Sequence, residues 1–252
     1  MKFSGKRILI TGGSRGIGRA TAIAFAREGA CVAINFQANK EAAMQTIQAM
    51  EGFGHLAIKG NIANRQVAKN VVETAVRELG GIDVLINNAG IYALHAIEQM
   101  NYEQWMETWH QHLQVNLTAA AQMCYLVAHQ MMHQGGGHIV NVSSRGAFRG
   151  EPQAPAYGAA KAGLNQLTQS LAQALAPHHI IVTAVAPGWV DTDMAAAHLY
   201  GPQGEAIRQQ SPLGRVARPE EVAAAILFLA SEEAAYCTGA ILDVNGASYL
   251  RS

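Results

Sequence analysis

The sequence has no excess of charge of either sign: eighteen Lys and Arg balance eighteen Asp and Glu. Without a net field there is no long-range attraction to nucleic acid or to an anionic membrane, so small-molecule work is the expectation. Cysteine is scarce as well. Cys31, Cys124 and Cys237 are odd in number and far apart, and they form neither a CxxC pair nor a ligand cluster. Buried free thiols in a reducing compartment are expected, and no metal site. His129 and His133 share helical spacing, but no third ligand converges on them. No stretch approaches the roughly 20 apolar residues that span a bilayer. The opening MKFSGK carries no apolar signal region, and the expectation is a soluble cytoplasmic protein. Internal repeats and low-complexity linkers are also missing. The 252 residues, half of them hydrophobic, therefore read as a single domain over 1–252.

What is present is an alternation of short apolar runs with amphipathic stretches. RILIT, CVAINF, HLAIKGNIAN, DVLINNAG, GGGHIVNVSS, IIVTAVAPG and AILDVNG read as strands, and the segments between them as helices. One of these, EQWMETWHQHLQVNLTAAAQMCYLVAHQMMH, reads as a single long helix. The alternation predicts an α/β fold: a doubly wound parallel sheet, Rossmann-like, with helices on both faces. The polar stretch with Gly and Pro over about 191–215 reads as a substrate lid.

The first run ends in TGGSRGIG and leads into a helix, giving strand, glycine turn, helix. Gly12, Gly16 and Gly18 permit close backbone approach, and the helix terminus near Arg15 presents free N–H groups to a pyrophosphate. Ser14 and Ile17 belong to the same turn. The end of the second run is where an acid would hold a ribose 2′-hydroxyl, yet it carries Asn35 and no acid before Lys40. Arg15 suits a 2′-phosphate instead. NADP(H) is therefore favoured as cofactor, with NAD(H) the alternative. Asn61 and Ile62, closing the third run, are expected against the adenine. Asn88, Ala89 and Gly90 close the fourth, at the sheet edge where open α/β folds bind ligands.

The reacting centre is expected at Tyr157 and Lys161, four apart and so on one helix face. An adjacent ammonium favours the phenolate, which would lower the phenol from its usual pKa of about 10 towards the physiological range. Ser144 adds a hydroxyl at the end of the fifth run. Asn116, among Val115, Leu117 and small residues, is a buried amide that needs partners. Either it satisfies a local backbone kink or it holds a catalytic water.

TGGSRGIG, NNAG, Asn116, Ser144, YGAAK and PGWVDT together resemble, in order and spacing, the motifs of the short-chain dehydrogenase/reductase family, over essentially the whole chain. The resemblance implies a tetrad of Asn116, Ser144, Tyr157 and Lys161. Tyr157 is then the acid/base, Ser144 bonds the substrate oxygen, Lys161 holds the nicotinamide ribose and lowers the tyrosine pKa, and Asn116 positions a water. It also implies that Asn88, Ala89 and Gly90 line the cofactor while Pro187, Gly188, Val190 and Thr192 hold its nicotinamide end. Two departures stand out. Asn61 replaces the family's common aspartate, and Val244-Asn245-Gly246-Ala247 replaces Val-Asp-Gly-Gly.

The reaction implied is hydride transfer between nicotinamide and a carbonyl or secondary alcohol. PLGR and PEEVA resemble the 3-oxoacyl-carrier-protein reductase branch. Against a carrier-bound substrate, only Arg145, Arg149 and Lys161 are fixed cations between Thr118 and Pro177, and Gly135 and His178 occupy the docking-arginine positions. A free small ketone, sugar or hydroxy acid is the first expectation, and a carrier-bound thioester the alternative. A catalytically idle nucleotide-binding scaffold is the third reading. The helices holding Asn116 and Tyr157 resemble those that pair subunits in this family, implying a homotetramer or a dimer.

Overall fold

The computed structural model describes residues 1–251. Every apolar run forms a strand: β1 (Arg7–Thr11), β2 (Cys31–Phe36), β3 (Leu56–Lys59), β4 (Val84–Asn87), β5 (Gly137–Val142), β6 (Ile180–Pro187) and β7 (Ile241–Val244). They pair in parallel in the order β3-β2-β1-β4-β5-β6-β7. The helices between them are α1 (Gly16–Arg27), α2 (Lys40–Ala49), α3 (Arg65–Leu79), α4 (Tyr102–Leu113), α5 (Ala119–Gln134), α6 (Pro155–Leu175), α7 (Asp193–Leu199), α8 (Gly204–Arg208) and α9 (Pro219–Leu229). The expected doubly wound fold is present.

Strand periodicity sends alternate side chains to opposite faces, and both faces are covered. Ile8 and Ile10 join Phe25 of α1 and Ile226 of α9 in one apolar cluster. Leu9, between them, joins Val71 of α3 and Met123 of α5 in the other. Full burial of such a side chain stabilises by about 1.5–3 kcal/mol, which is why near-continuous apolar runs specify these strands.

The chain runs β1-β2-β3 towards one edge and then returns to place β4 on the other side of β1. That reversal opens a crevice at the carboxyl ends of β1 and β4, the place where such sheets take ligands. Thr11 and Asn88 close its floor. The Asn88 and Ala89 amides both donate to Thr11 Oγ1 at 3.0 Å, and Asn88 Nδ2 donates to the carbonyls of Thr11 and Gly12 at 3.0 and 2.9 Å.

Three expectations change. The third strand stops at Lys59, so Asn61 and Ile62 lie in the turn beyond it. The expected long helix is two: a π-type turn, Gln114–Thr118, separates α4 from α5 at Asn116. The polar stretch of the expected lid folds into α7 and α8 around an apolar cluster of Ala195, Leu199 and Ile207, packed by Trp189 and Val216. Its glycines and prolines masked this short helical packing.

Candidate active site

A cavity of about 840 Å³ runs from the glycine turn across the β1–β4 crevice to α8. Its nucleotide end is built from the loop after β1. Gly12 adopts φ +65°, a left-handed conformation, which turns the chain back over the strand ends. α1 then starts at Gly16 with no side-chain cap and no acid in its first turn, so its N–H groups stay open to an anion. Ser14, Arg15 and Ile17 line the wall. Thr46 of α2 buttresses the turn by donating to the Ser14 carbonyl at 3.2 Å.

Gly18 is not on that wall. A Cβ there would sit 2.3 Å from the Gly12 carbonyl oxygen and 2.5 Å from Asn88 Nδ2. Its place is behind the cradle, where it lets α1 close onto the turn. Of the three glycines expected to admit the cofactor, Gly12 and Gly16 line the cavity and Gly18 packs behind it.

Asn35 lines the cavity but its amide is committed elsewhere, donating to the Ile58 and Gly60 carbonyls at 3.2 and 3.0 Å. Only 2% exposed, it ties β2 through that amide to β3 and the turn just beyond it. Arg15 is exposed on the wall and makes no ion pair among the described residues. Asn61 accepts from Ala63 N–H at 3.1 Å, and Ile62 is buried beside it; both line the cavity. Asn88, Ala89 and Gly90 line its middle, and Pro187, Gly188, Val190 and Thr192 its far side, with Val190 bridged to Ala217.

Ser144, Tyr157 and Lys161 come together on this wall. Ser144 ends the loop after β5 and accepts from Gly146 N–H at 3.0 Å. Lys161 is 4% exposed, lies 5.9 Å from the Tyr157 ring centre, and donates through Nζ to the Val142 carbonyl at 2.7 Å. The electrostatics run opposite to the expected lowering. Burial pushes the Tyr157 phenol up to about 12, a hydrogen bond with Ser144 works against that rise, and the negative charge of Glu151 adds to it. Burial also pushes Lys161 down to about 8. Loss of hydration penalises both charged forms, so this pair by itself keeps a protonated phenol rather than a primed phenolate.

Asn116, 1% exposed, lies off the cavity wall. Its Oδ1 accepts from Ile91 N–H at 2.9 Å and its Nδ2 donates to the Ile91 carbonyl at 3.0 Å. The side chain pins the loop after β4 to the π-type turn.

Several contributors carry no local sequence pattern. Tyr92 packs edge-on against Tyr157, ring centres 5.0 Å apart, and with Trp189 and His198 forms an aromatic wall above it. His95, 1% exposed, accepts from Ala156 N–H through Nε2 at 2.9 Å and donates from Nδ1 to the Ala93 carbonyl at 2.8 Å. It thereby caps the first turn of α6, one residue before Tyr157. His95→Phe is expected to orphan that amide and lower stability by about 1–3 kcal/mol. The slight shift of Tyr157 should reduce kcat about tenfold. His95→Gln, which keeps an acceptor, should recover most of both in thermal melts and steady-state assays. His129 and His133 are exposed and remote from the cavity, with the His129 ring against Tyr125 at 4.5 Å.

A family model described as "Enoyl-(Acyl carrier protein) reductase" matches residues 12–247. An L-rhamnose 1-dehydrogenase (NAD(P)(+)) of Sphingomonas sp. (strain SKA58) is 41% identical, with 98% of each chain covered. A 3-oxoacyl-(acyl-carrier-protein) reductase of Thermotoga maritima is 40% identical, again over 98% of each. A short chain dehydrogenase from Burkholderia cenocepacia J2315, solved in complex with NADP, superposes with a TM-score of 0.90 at 32% identity, covering 98% of this chain and 99% of that one.

Proposed function

The chain belongs to the short-chain dehydrogenase/reductase family and is an oxidoreductase; from that premise we propose that it transfers hydride between a bound nicotinamide dinucleotide and a small carbonyl or secondary alcohol, with Tyr157 moving the proton. The observation that carries this reading is the grouping of Tyr157, Ser144 and Lys161 on one wall of a cavity that continues to the open amino terminus of α1.

The residues present fit a dinucleotide. The uncapped α1 terminus suits its pyrophosphate, and the turn at Gly12 leaves the backbone free to approach it. Asn61 and Ile62 would face the adenine, and Pro187, Gly188, Val190 and Thr192 the nicotinamide. When bound, the cofactor supplies the hydride that the side chains lack. In reduction Tyr157, protonated across the physiological range, gives its proton to the carbonyl oxygen, and Ser144 hydrogen-bonds that oxygen as charge gathers on it. Lys161 would hold the ribose, Asn116 keeps the loop after β4 in place, and in oxidation Tyr157 takes the proton back. The segment over 191–215, with its own apolar cluster, would cover the substrate.

NADP(H) is the cofactor we propose, with NAD(H) as the alternative, because Arg15 stands free on the wall and no acid closes β2. Arg15→Ala is expected to weaken NADPH binding about 10- to 100-fold while leaving NADH little changed, the range for a charged hydrogen bond. Fluorescence titration of both cofactors checks this.

The substrate is a free small molecule rather than a carrier-bound thioester. Of the three fixed cations between Thr118 and Pro177, Arg145 and Lys161 are buried and Arg149 pairs with Glu151 at 3.4 Å. None stands ready to dock an acidic carrier. The reductase relatives favour the carrier-bound alternative, and turnover of free ketones against a carrier-bound 3-oxoacyl thioester decides between them. We place the protein in the cytoplasm on the strength of its three free thiols, of which Cys124 is buried as expected while Cys31 and Cys237 are only partly so. It is expected to assemble through α5 and α6 as a homotetramer or dimer.

A further inference from the structure

Arg145 directly follows Ser144 and is only 4% exposed. Among the described residues it has no carboxylate within ion-pair distance. One guanidinium nitrogen, Nη2, donates to Gln210 Oε1, while Nη1 is buried without any hydrogen-bond partner. The nearby acid, Glu151, pairs with Arg149 instead. Burial pushes the Arg145 pKa down to about 10, and the Arg149 charge adds to that fall.

Removing a guanidinium from water with no counter-charge is strongly unfavourable, and native folds seldom leave such a group unmatched. Arg145 lines the cavity wall together with Ser144 and Tyr157. Its planar fork matches a carboxylate in two parallel hydrogen bonds, whereas a neutral hydroxyl would fill a donor and leave the charge. Gln210, just beyond α8, ties the covering segment to the same guanidinium. From these contacts we infer that Arg145 recognises a carboxylate on the substrate, so that the molecule reacting at Tyr157 is an oxo acid or hydroxy acid. This rests on the hydride-transfer reading above and narrows it.

A rival counter-charge lies on the other side. Arg145 also borders a smaller cavity of about 160 Å³ that Asp243 lines; the Asp243 carboxylate pairs with Arg251 through Oδ2 at 2.7 Å, while its Oδ1 is buried without a hydrogen-bond partner. If the matching charge came from Asp243, the two groups would serve stability alone.

The test compares pyruvate, acetoacetate and levulinate with their methyl esters, and with L-rhamnose as a neutral sugar, in wild type, Arg145→Met, Arg145→Lys and Asp243→Asn. In wild type at least one acid should exceed its ester about 100-fold in kcat/KM, mostly through KM, the range for a lost buried charge partner. Arg145→Met should bring that ratio near one, Arg145→Lys should restore part of it, and Asp243→Asn should keep it. A second readout needs no turnover: butanoate, but not butanamide, should raise the melting temperature of the wild type with NADP⁺ present, and not that of Arg145→Met. Protection by butanoate without hydride transfer to any compound would keep the carboxylate site and sink the proposed reaction. Preference for L-rhamnose or the esters, an acid-to-ester ratio that survives Arg145→Met or falls with Asp243→Asn, or no butanoate protection in wild type would each overturn the inference.

Discussion

Tyr157→Phe is expected to lower kcat/KM for carbonyl reduction by about 10²- to 10⁴-fold, the contribution of a positioned general acid. The ring stays, so its edge-on packing with Tyr92 at 5.0 Å should hold and the melting temperature should change little. Cofactor binding should also survive, because the cradle lies at the other end of the cavity. Stopped-flow measurement of a single turnover isolates the chemical step. Unchanged turnover would remove Tyr157 from the reaction and restore the idle-scaffold reading. The pH dependence has a definite sign. With the phenol pushed up to about 12, reduction finds its proton in place throughout the physiological range. Alcohol oxidation needs the phenolate, whose fraction grows about tenfold per pH unit below that value. Oxidation by wild type should therefore climb with pH, and the climb should vanish in Tyr157→Phe.

Gly18→Val should abolish cofactor binding at ordinary concentrations, a loss of about 100-fold or more in affinity, where 1.4 kcal/mol is tenfold. Even a single Cβ would overlap the Gly12 carbonyl oxygen at 2.3 Å, and backbone cannot swing aside as a side chain can. The turn must then lift from Asn88, which holds the Gly12 carbonyl at 2.9 Å. Titration of nicotinamide fluorescence measures this directly, and circular dichroism separates it from unfolding. Retained affinity would mean that the turn can move without harm to the pyrophosphate site.

Gly18 also shows how far sequence reasoning reaches. Its spacing marked the nucleotide turn, yet whether it touches ligand or supports the turn depends on Asn88, seventy residues away in the chain. Asn35 teaches the same lesson: its position near the end of β2 was legible, but the carbonyls that claim its amide, Ile58 in β3 and Gly60 just past its end, lie over twenty residues further on. Asn116 was visible as a buried amide, but its partner, the backbone of Ile91 on a separate loop, was not.

The order of apolar runs and helices, the glycine turn after β1 and the shared face of Tyr157 and Lys161 were determined by the sequence alone. Each depends on neighbours within a few residues, through strand alternation, helical spacing or backbone freedom. The tertiary structure decided the rest: the Thr11–Asn88 stitch, the His95 cap on α6, the unpaired Arg145 charge and the raised phenol. Those properties come from excluded water and from partners on distant segments. Desolvation shifts both Tyr157 and Lys161 towards their neutral forms because folding buries both groups, and no local spacing records how deeply a side chain will be buried.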